Sequence, residues 1–305
     1  MPSLREIKGR INSVSSTLQV TRTMEMISTA RIRKALDRAQ KAAPYKDAIT
    51  LMLANVASAG YGSEHPLLRV HPKEQHVVFL LIASDRGMAG GFNIVPQREV
   101  MHAIEDLESR GVGADVITCG RKPTEFFRYR GKQPLLSFEG ISSEPTMDEA
   151  DRIASYIMDG YKSGQIDRVM IYYSHAKNRV DQQQVVEQLL PITNEQLMMP
   201  NRPRTAEALS MIEHKQDTVF EFDPSAVEVL GYLLPAYVRT VIYHALLDSA
   251  AAEHGARRRA MKSASDNAQD IITSLSRTYN RERQGSITTE LNEIVAGASA
   301  LEDNN

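Results

Sequence analysis

The stretch "LREIKGRINSVSSTL", residues 4–18, sets Leu4, Ile7, Ile11, Val14 and Leu18 three and four positions apart. That is the spacing of a coiled-coil seam, in which one apolar edge of a helix faces a second helix. The spacing resumes as Val20, Met24, Ile27 and again as Ile32, Leu36, Ala39, Ala43, restarts that move the expected buried face around the helix. Pro44 is expected to kink the helix without ending it, because Tyr45, Ile49, Met52 and Val56 keep the same beat to about Ala59. At about 1.5 Å of rise per residue such a helix spans roughly 80 Å, more than the width of an ordinary domain.

A helix of that length cannot bury its seam on a compact globule; it needs a partner of similar length. The other end of the chain offers one. No proline follows Pro235, and Val227, Leu230, Leu234, Tyr237 and Val241 form one seam while Ile287, Leu291, Ile294, Ala298 and Leu301 form another. Between them Ala252, Ala256, Ala260, Ala264 and Ala268 recur at every fourth position, small residues that let two helices approach closely along a wrapping line. The expected fold is therefore an antiparallel coiled coil of residues 1–59 and 223–305. The longer second helix projects "RQGSITTELNEIVAGASAL" (283–301) for burial against some other chain.

Residues 60–222 have a different rhythm. Apolar runs "HVVFLLIAS" (76–84), "ADVITC" (114–119), "PLLSF" (134–138) and "RVMIYYS" (168–174) alternate with helical patterns near 93–110, 123–130 and 146–163. Such alternation predicts a mostly parallel, Rossmann-like sheet covered on both faces, inserted between the two halves of the coiled coil. "QQVVEQLLPI" (183–192) is expected to be an edge strand before the proline-rich connector "MMPNRPRT".

The loop "SDRGMAGGFN" (84–93) follows the first strand and resembles the mouth of a phosphate-binding loop. It lacks the Gly-Lys-Ser/Thr ending of a Walker loop, and Gly87, Gly90 and Gly91 miss the Gly-x-Gly-x-x-Gly spacing of a dinucleotide fingerprint. It is expected to be a tight strand-to-helix connection, its glycines at positive φ and Asn93 capping the next helix. Asp85 and Arg86 beside it form either a solvated pair or part of a docking face. His65, His71 and His76 lack metal-pair spacing, His244 and His254 lie ten apart on one helix, and no Gly-x-Ser-x-Gly elbow occurs, so no catalytic residue, metal site or cofactor site is expected.

The chain has 305 residues, 42% of them hydrophobic and 24% charged, with a formal net charge of −2. That balance excludes a globally basic nucleic-acid binder, but charge is segregated. Residues 1–60 carry 10 basic and 4 acidic side chains, residues 253–283 carry 7 and 4, and residues 284–305 carry 0 and 4. A single cysteine, Cys119, excludes an internal disulfide, fits a reducing compartment and sits where a small buried hydrophobe is expected. With no apolar leader in "MPSLREIKGR" and no uncharged apolar run of 18 residues, the expectation is a cytosolic chain or one peripheral to a membrane.

Three stretches carry a family resemblance: "SLREIKGRINSVSSTLQVTRTMEMISTARIRK", "SDRGMAGGFN" and "AMKSASDNAQDIITSLSRTYNRERQGSITTELNEIVAGASAL". Together they resemble the γ subunits of F-type ATP synthases, nearly end to end, except that the family usually has Leu-Cys where this chain has Met88-Ala89. With Cys119 alone, the chain lacks the cysteine pair of the redox-regulated plant form. The resemblance implies a non-catalytic rotor shaft inside a ring of α and β subunits, its α/β foot bound to the ε subunit and to the c-subunit ring. It implies peripheral attachment to the cytoplasmic face of a bacterial plasma membrane. It further implies that Met24 lies opposite an acidic β loop, that Arg257, Arg283, Gln284 and Thr288 contact β loops, and that Asp85, Arg86 and Asn93 belong to the foot. "TVFEFDPSA" (218–226) would lie nearest the c ring. A nucleotide-dependent enzyme with helical arms and a tethering coiled coil remain the alternatives.

Overall fold

In the computed structural model, which describes residues 3–58, 65–178, 181–193 and 225–302, the first helix, α1, spans Leu4–Ser58 with Pro44 inside it. Then come β1 (His76–Ile82), α2 (Ile94–Ser109), β2 (Gly113–Cys119), α3 (Arg121–Tyr129), β3 (Leu136–Phe138) and α4 (Met147–Lys162). β4 (Arg168–Ala176), β5 (Gln182–Leu190) and a 77-residue helix, α5 (Ala226–Glu302), complete the fold. The connector "MMPNRPRT" and all but the last two residues of "TVFEFDPSA" lie outside the described residues.

The sheet order is β3-β2-β1-β4-β5. β1 pairs in parallel with β2 and β4, β2 pairs in parallel with β3, and β5 runs antiparallel along β4 as the expected edge strand. β1 is apolar from Val77 to Ile82 because both of its faces are covered. Val78, Leu80 and Ile82 join a core with Ile153 and Ile157 of α4, Leu234 and Val238 of α5, and Leu53 of α1. Val77, Phe79 and Leu81 point the other way, onto Val100 and Ile104 of α2 and Phe127 of α3. Each such side chain contributes about 1.5–3 kcal/mol of transfer free energy. α4 begins with a capping box: Thr146 Oγ1 accepts from the Glu149 backbone and the Glu149 carboxylate accepts from the Thr146 N–H.

Contacts divide the chain into two compact units, residues 28–257 and residues 1–27 with 258–305. In the larger unit α1 and α5 run antiparallel. Arg31 shares a cavity lining with His254 and Arg257, whereas Ala35 and Leu36, one turn on, pack in a cluster with Ala251 and Ala252. In the smaller unit Thr21 Oγ1 and Ser265 Oγ, both buried, lie 2.8 Å apart, and Arg22 reaches Gln269.

The restarts expected on α1 are corrected. Val20 and Ile27 are 57% and 49% exposed, while Thr21 and Ser28 are buried at 7% and 2%. A heptad seam continues from Ile7 and Leu18 through these two small polar residues to Ile32, Ala35 and Ala39. Reading apolar residues alone hides that continuity, because two seam positions carry hydroxyls. Val227 is likewise exposed, and the buried face of α5 begins at Leu230. By composition one window within Val227–Ala296 is apolar enough to cross a membrane, but half of it is buried inside the protein, as a core helix requires.

Gly120, after β2, has φ +111°, and a Cβ there would stand 2.7 Å from the Ala83 carbonyl oxygen and 2.9 Å from the Ser84 carbonyl carbon. Both neighbours are backbone, so Gly120→Ala must strain its own backbone and separate β2 from the exit of β1. The expected cost is on the order of 2–5 kcal/mol. Thermal unfolding of the full-length chain checks it, and a variant melting with the parent contradicts the close approach.

Candidate functional site

In a doubly wound sheet, ligands bind outside the carboxyl ends of the strands, where successive connections diverge. β1 and β4 meet that description: the chain leaves β1 toward β2 and leaves β4 toward β5. That crevice is filled by the chain itself. Ala83 at the end of β1, Ala89 and Phe92 of the loop, and Ala176 at the end of β4 pack against Ala251, Ala252 and Ala256 of α5 and Ala35 of α1. The alanine stripe thus brings α5 onto the loop as well as onto α1.

The loop's polar groups are held as tightly. Asp85 Oδ1 accepts from the Gly140 N–H (2.8 Å) and the Arg121 N–H (2.9 Å), and Oδ2 accepts from the Ser142 N–H (3.0 Å). The Asp85 N–H donates in turn to Ser142 Oγ at 3.0 Å. Arg121 opens α3, so a carboxylate of the chain sits at the helix N-terminus where a phosphate would be received. Burial pushes the Asp85 carboxyl up, but the three backbone donors with Ser142 outweigh it and leave it below the usual range.

Asn93 does not cap α2 with its side chain. Its backbone is already helical, and its Oδ1 instead accepts from the Ser84 N–H at 3.0 Å and lies 2.8 Å from Ser84 Oγ. Ser84 is fully buried at the strand exit, where its N–H needs a partner more than an exposed helix end does. Of the loop's three glycines only Gly90 has positive φ, and Met88 joins it at φ 59°. The left-handed turn is therefore carried by one glycine and one methionine, whose side chain stays exposed.

Arg257, 6% exposed, is committed within the chain. It pairs with Glu253 one turn earlier at 2.7 Å and donates to the carbonyl oxygens of Arg86 (3.2 Å) and Gly87 (3.3 Å), binding α5 to the loop. Glu253 is 2% exposed, and burial pushes its carboxyl up while Arg257 opposes the shift. His254, 3% exposed, is pushed down to about 4 by burial and then by Arg257, Arg31 and Arg86, so its imidazole is neutral near pH 7.

Four of the expected residues, Asp85, Arg86, Asn93 and Arg257, thus come together at the end of β1. The other four lie in the smaller unit. Met24 is half-buried on α1, and Arg283, Gln284 and Thr288 are exposed on α5, where Thr288 Oγ1 donates to the Gln284 carbonyl at 2.9 Å. Glu253 and Ser142 stand outside the sequence expectation. Glu253 was findable from its four-residue spacing to Arg257, whereas Ser142 reaches Asp85 across 57 residues and has no local signal. Cys119 is buried, and burial pushes its thiol well above its ordinary value.

A protein-family model described as ATP synthase matches residues 3–301. Among solved structures, the chain is similar to one from the rotor of Euglena gracilis mitochondrial ATP synthase in rotational state 1. The TM-score is 0.60 at 13% identity, with 93% of this chain and 98% of that one covered. A chain of the central stalk and c-ring of Tetrahymena thermophila mitochondrial ATP synthase gives 0.59 at 18% identity, over 81% and 99%. A third, from the Euglena gracilis OSCP/F1/c-ring assembly in rotational state 3, gives 0.62 at 16% identity, over 98% and 94%.

Two expected outcomes follow from the loop's anchors. The lowered carboxyl of Asp85 stabilises the fold fully above its unfolded value, about 3.9, and that contribution is lost as pH falls through the lower folded value. Asp85→Asn turns a donor toward the backbone N–H groups, so it should destabilise the chain at neutral pH and flatten the acid limb of its stability curve. An unchanged limb contradicts the assignment. Arg257→Ala strands the Glu253 carboxylate and should cost about 3–5 kcal/mol in denaturant unfolding, with part of the loss recovered by adding Glu253→Gln. Full stability in the single variant would show that the pair does not hold the loop.

Proposed function

Because this chain belongs to the F-type ATP synthase γ family, we propose that it is the enzyme's central shaft, coupling ion-driven rotation of the c ring to ATP synthesis or hydrolysis at the β subunits. The γ subunit is part of the central stalk; in our reading it performs no chemistry itself. The observation that carries this reading is the run of exposed apolar side chains toward the end of α5. There Ile287, Leu291, Ile294 and Val295 are 45–63% exposed on a helix whose earlier turns pair with α1. Four large apolar side chains on one helix end call for a surrounding protein surface, and a sleeve formed by the α and β subunits suits them.

The three-segment division at residues 59 and 223 then has functional meaning, with helical shaft segments on either side of an α/β foot that takes the ε subunit and the c ring. Met24, Arg283, Gln284 and Thr288 are the proposed coupling contacts to β loops; exposure of the last three supports that role. Arg257 is proposed to serve coupling by holding the loop that carries Arg86, so that any β contact is made by the clasped pair of segments. Asp85 and Asn93 act in the foot as internal anchors. We place the chain peripherally on the cytoplasmic face of a bacterial plasma membrane, a reducing compartment that suits its one buried thiol. The crevice filled by alanines argues against the nucleotide-dependent enzyme.

Met24→Lys tests the coupling role. A new ammonium on an already basic helix can form an ion pair with an acidic partner loop and hold the rotor in one orientation. The expected outcome is an assembled complex that keeps most of its ATP hydrolysis while ATP-driven ion pumping falls to a small fraction. Equal retention of both activities would remove Met24 from the coupling contacts.

A further inference from the structure

Beside the clasped loop lies an open cleft of about 320 Å³ within the larger unit, lined by Arg31 of α1, Arg86 of the loop, Arg121 of α3 and His254 of α5. The acids at its wall are mostly committed: Asp85 to three backbone donors, and Glu253 to Arg257. Glu144 nearby is held by Lys34 at 3.1 Å and Arg38 at 3.8 Å, and Arg121 leans on Glu125 at 3.4 Å. Among the described residues the guanidinium groups of Arg31 and Arg86 have no ion-pair or hydrogen-bond partner. The imidazole of His254, 3% exposed, has no hydrogen bond either. Glu139 is the one uncommitted carboxylate in the lining.

We propose that this cleft is a binding site for a small divalent oxyanion, inorganic phosphate, held by the Arg31 and Arg86 guanidinium forks and by an N–H of His254. Two planar forks match the oxygens of a tetrahedral anion. The imidazole, neutral at physiological pH, can donate without adding a third charge. Glu139 opposes the anion and keeps binding weak. The ligand would bridge α1, the loop after β1 and α5, three segments far apart in sequence, and so stabilise their arrangement by linkage. The site uses side chains alone, since the backbone donors at the start of α3 already hold Asp85.

The test is calorimetric titration of the full-length chain with sodium phosphate at constant ionic strength, which removes general screening. His254 ring resonances, assigned with His254→Gln, locate the binding. The expected result is one saturable site per chain with Kd on the order of 1 mM, an upward shift of the His254 pKa, and similar behaviour with sulfate. The double variant Arg31→Ala/Arg86→Ala, both exposed positions, should keep its circular dichroism spectrum and lose roughly tenfold in affinity. Glu139→Gln should bind more tightly. Absence of saturation and of any His254 shift overturns the proposal. So does an equal response to chloride, or an affinity unchanged in the double variant.

Discussion

Close approach of α5 to the carboxyl ends of β1 and β4 is the constraint on which the rest of the larger unit depends. It is possible because the contact is built from Ala83, Ala89, Ala176, Ala251, Ala252 and Ala256, with Phe92 as its one large member. Larger side chains would hold the helix off the sheet. Once α5 is there, the crevice of the doubly wound sheet is closed. The loop after β1 is then fixed from within the chain, by Asp85, Asn93 and Arg257. A sheet architecture best known for holding cofactors is here converted into a mounting for a helix pair.

The cluster around Arg257 shows how charge is used in that mounting. A buried guanidinium paired with a buried carboxylate adds little net stability over apolar packing, but it is costly to break and restrictive in geometry. Arg257 satisfies Glu253 and two carbonyl oxygens of the loop at once, so helix and loop can only separate together with the loss of several bonds.

Much of this was legible in the sequence, for identifiable reasons. β1 reads as a strand because six consecutive apolar residues are needed when both faces are covered, and β5 because it closes an edge. The length of both long helices is legible because a single proline inside a strong periodic pattern, Pro44 in α1 and Pro235 in α5, does not end it. The α1 seam was legible up to Leu18 and again at Ile32 and Ala39, but not between them: Thr21 and Ser28 are buried by virtue of being small, and no hydrophobicity scale marks them. The loop's glycines were visible, but the partners of Asp85 come from residues 121, 140 and 142, which the fold alone brings near. Asn93 was misread for the same reason, since the donor it serves lies at the end of the preceding strand.

The hydroxyl pair of Thr21 and Ser265 sits in a seam otherwise made of aliphatic and small side chains. Apolar heptads are nearly interchangeable, and two helices joined only by them can slide past each other by seven residues at modest cost. A slide of that kind breaks the hydrogen bond between Thr21 and Ser265, at about 0.5–1.5 kcal/mol, although Thr21 Oγ1 keeps its bond to the Leu18 carbonyl. The pair thus acts as a register lock, as a single polar residue does in other coiled coils. In a helix pair that turns under load, it resists axial slippage, so that a twist applied at one point of the pair is carried along it.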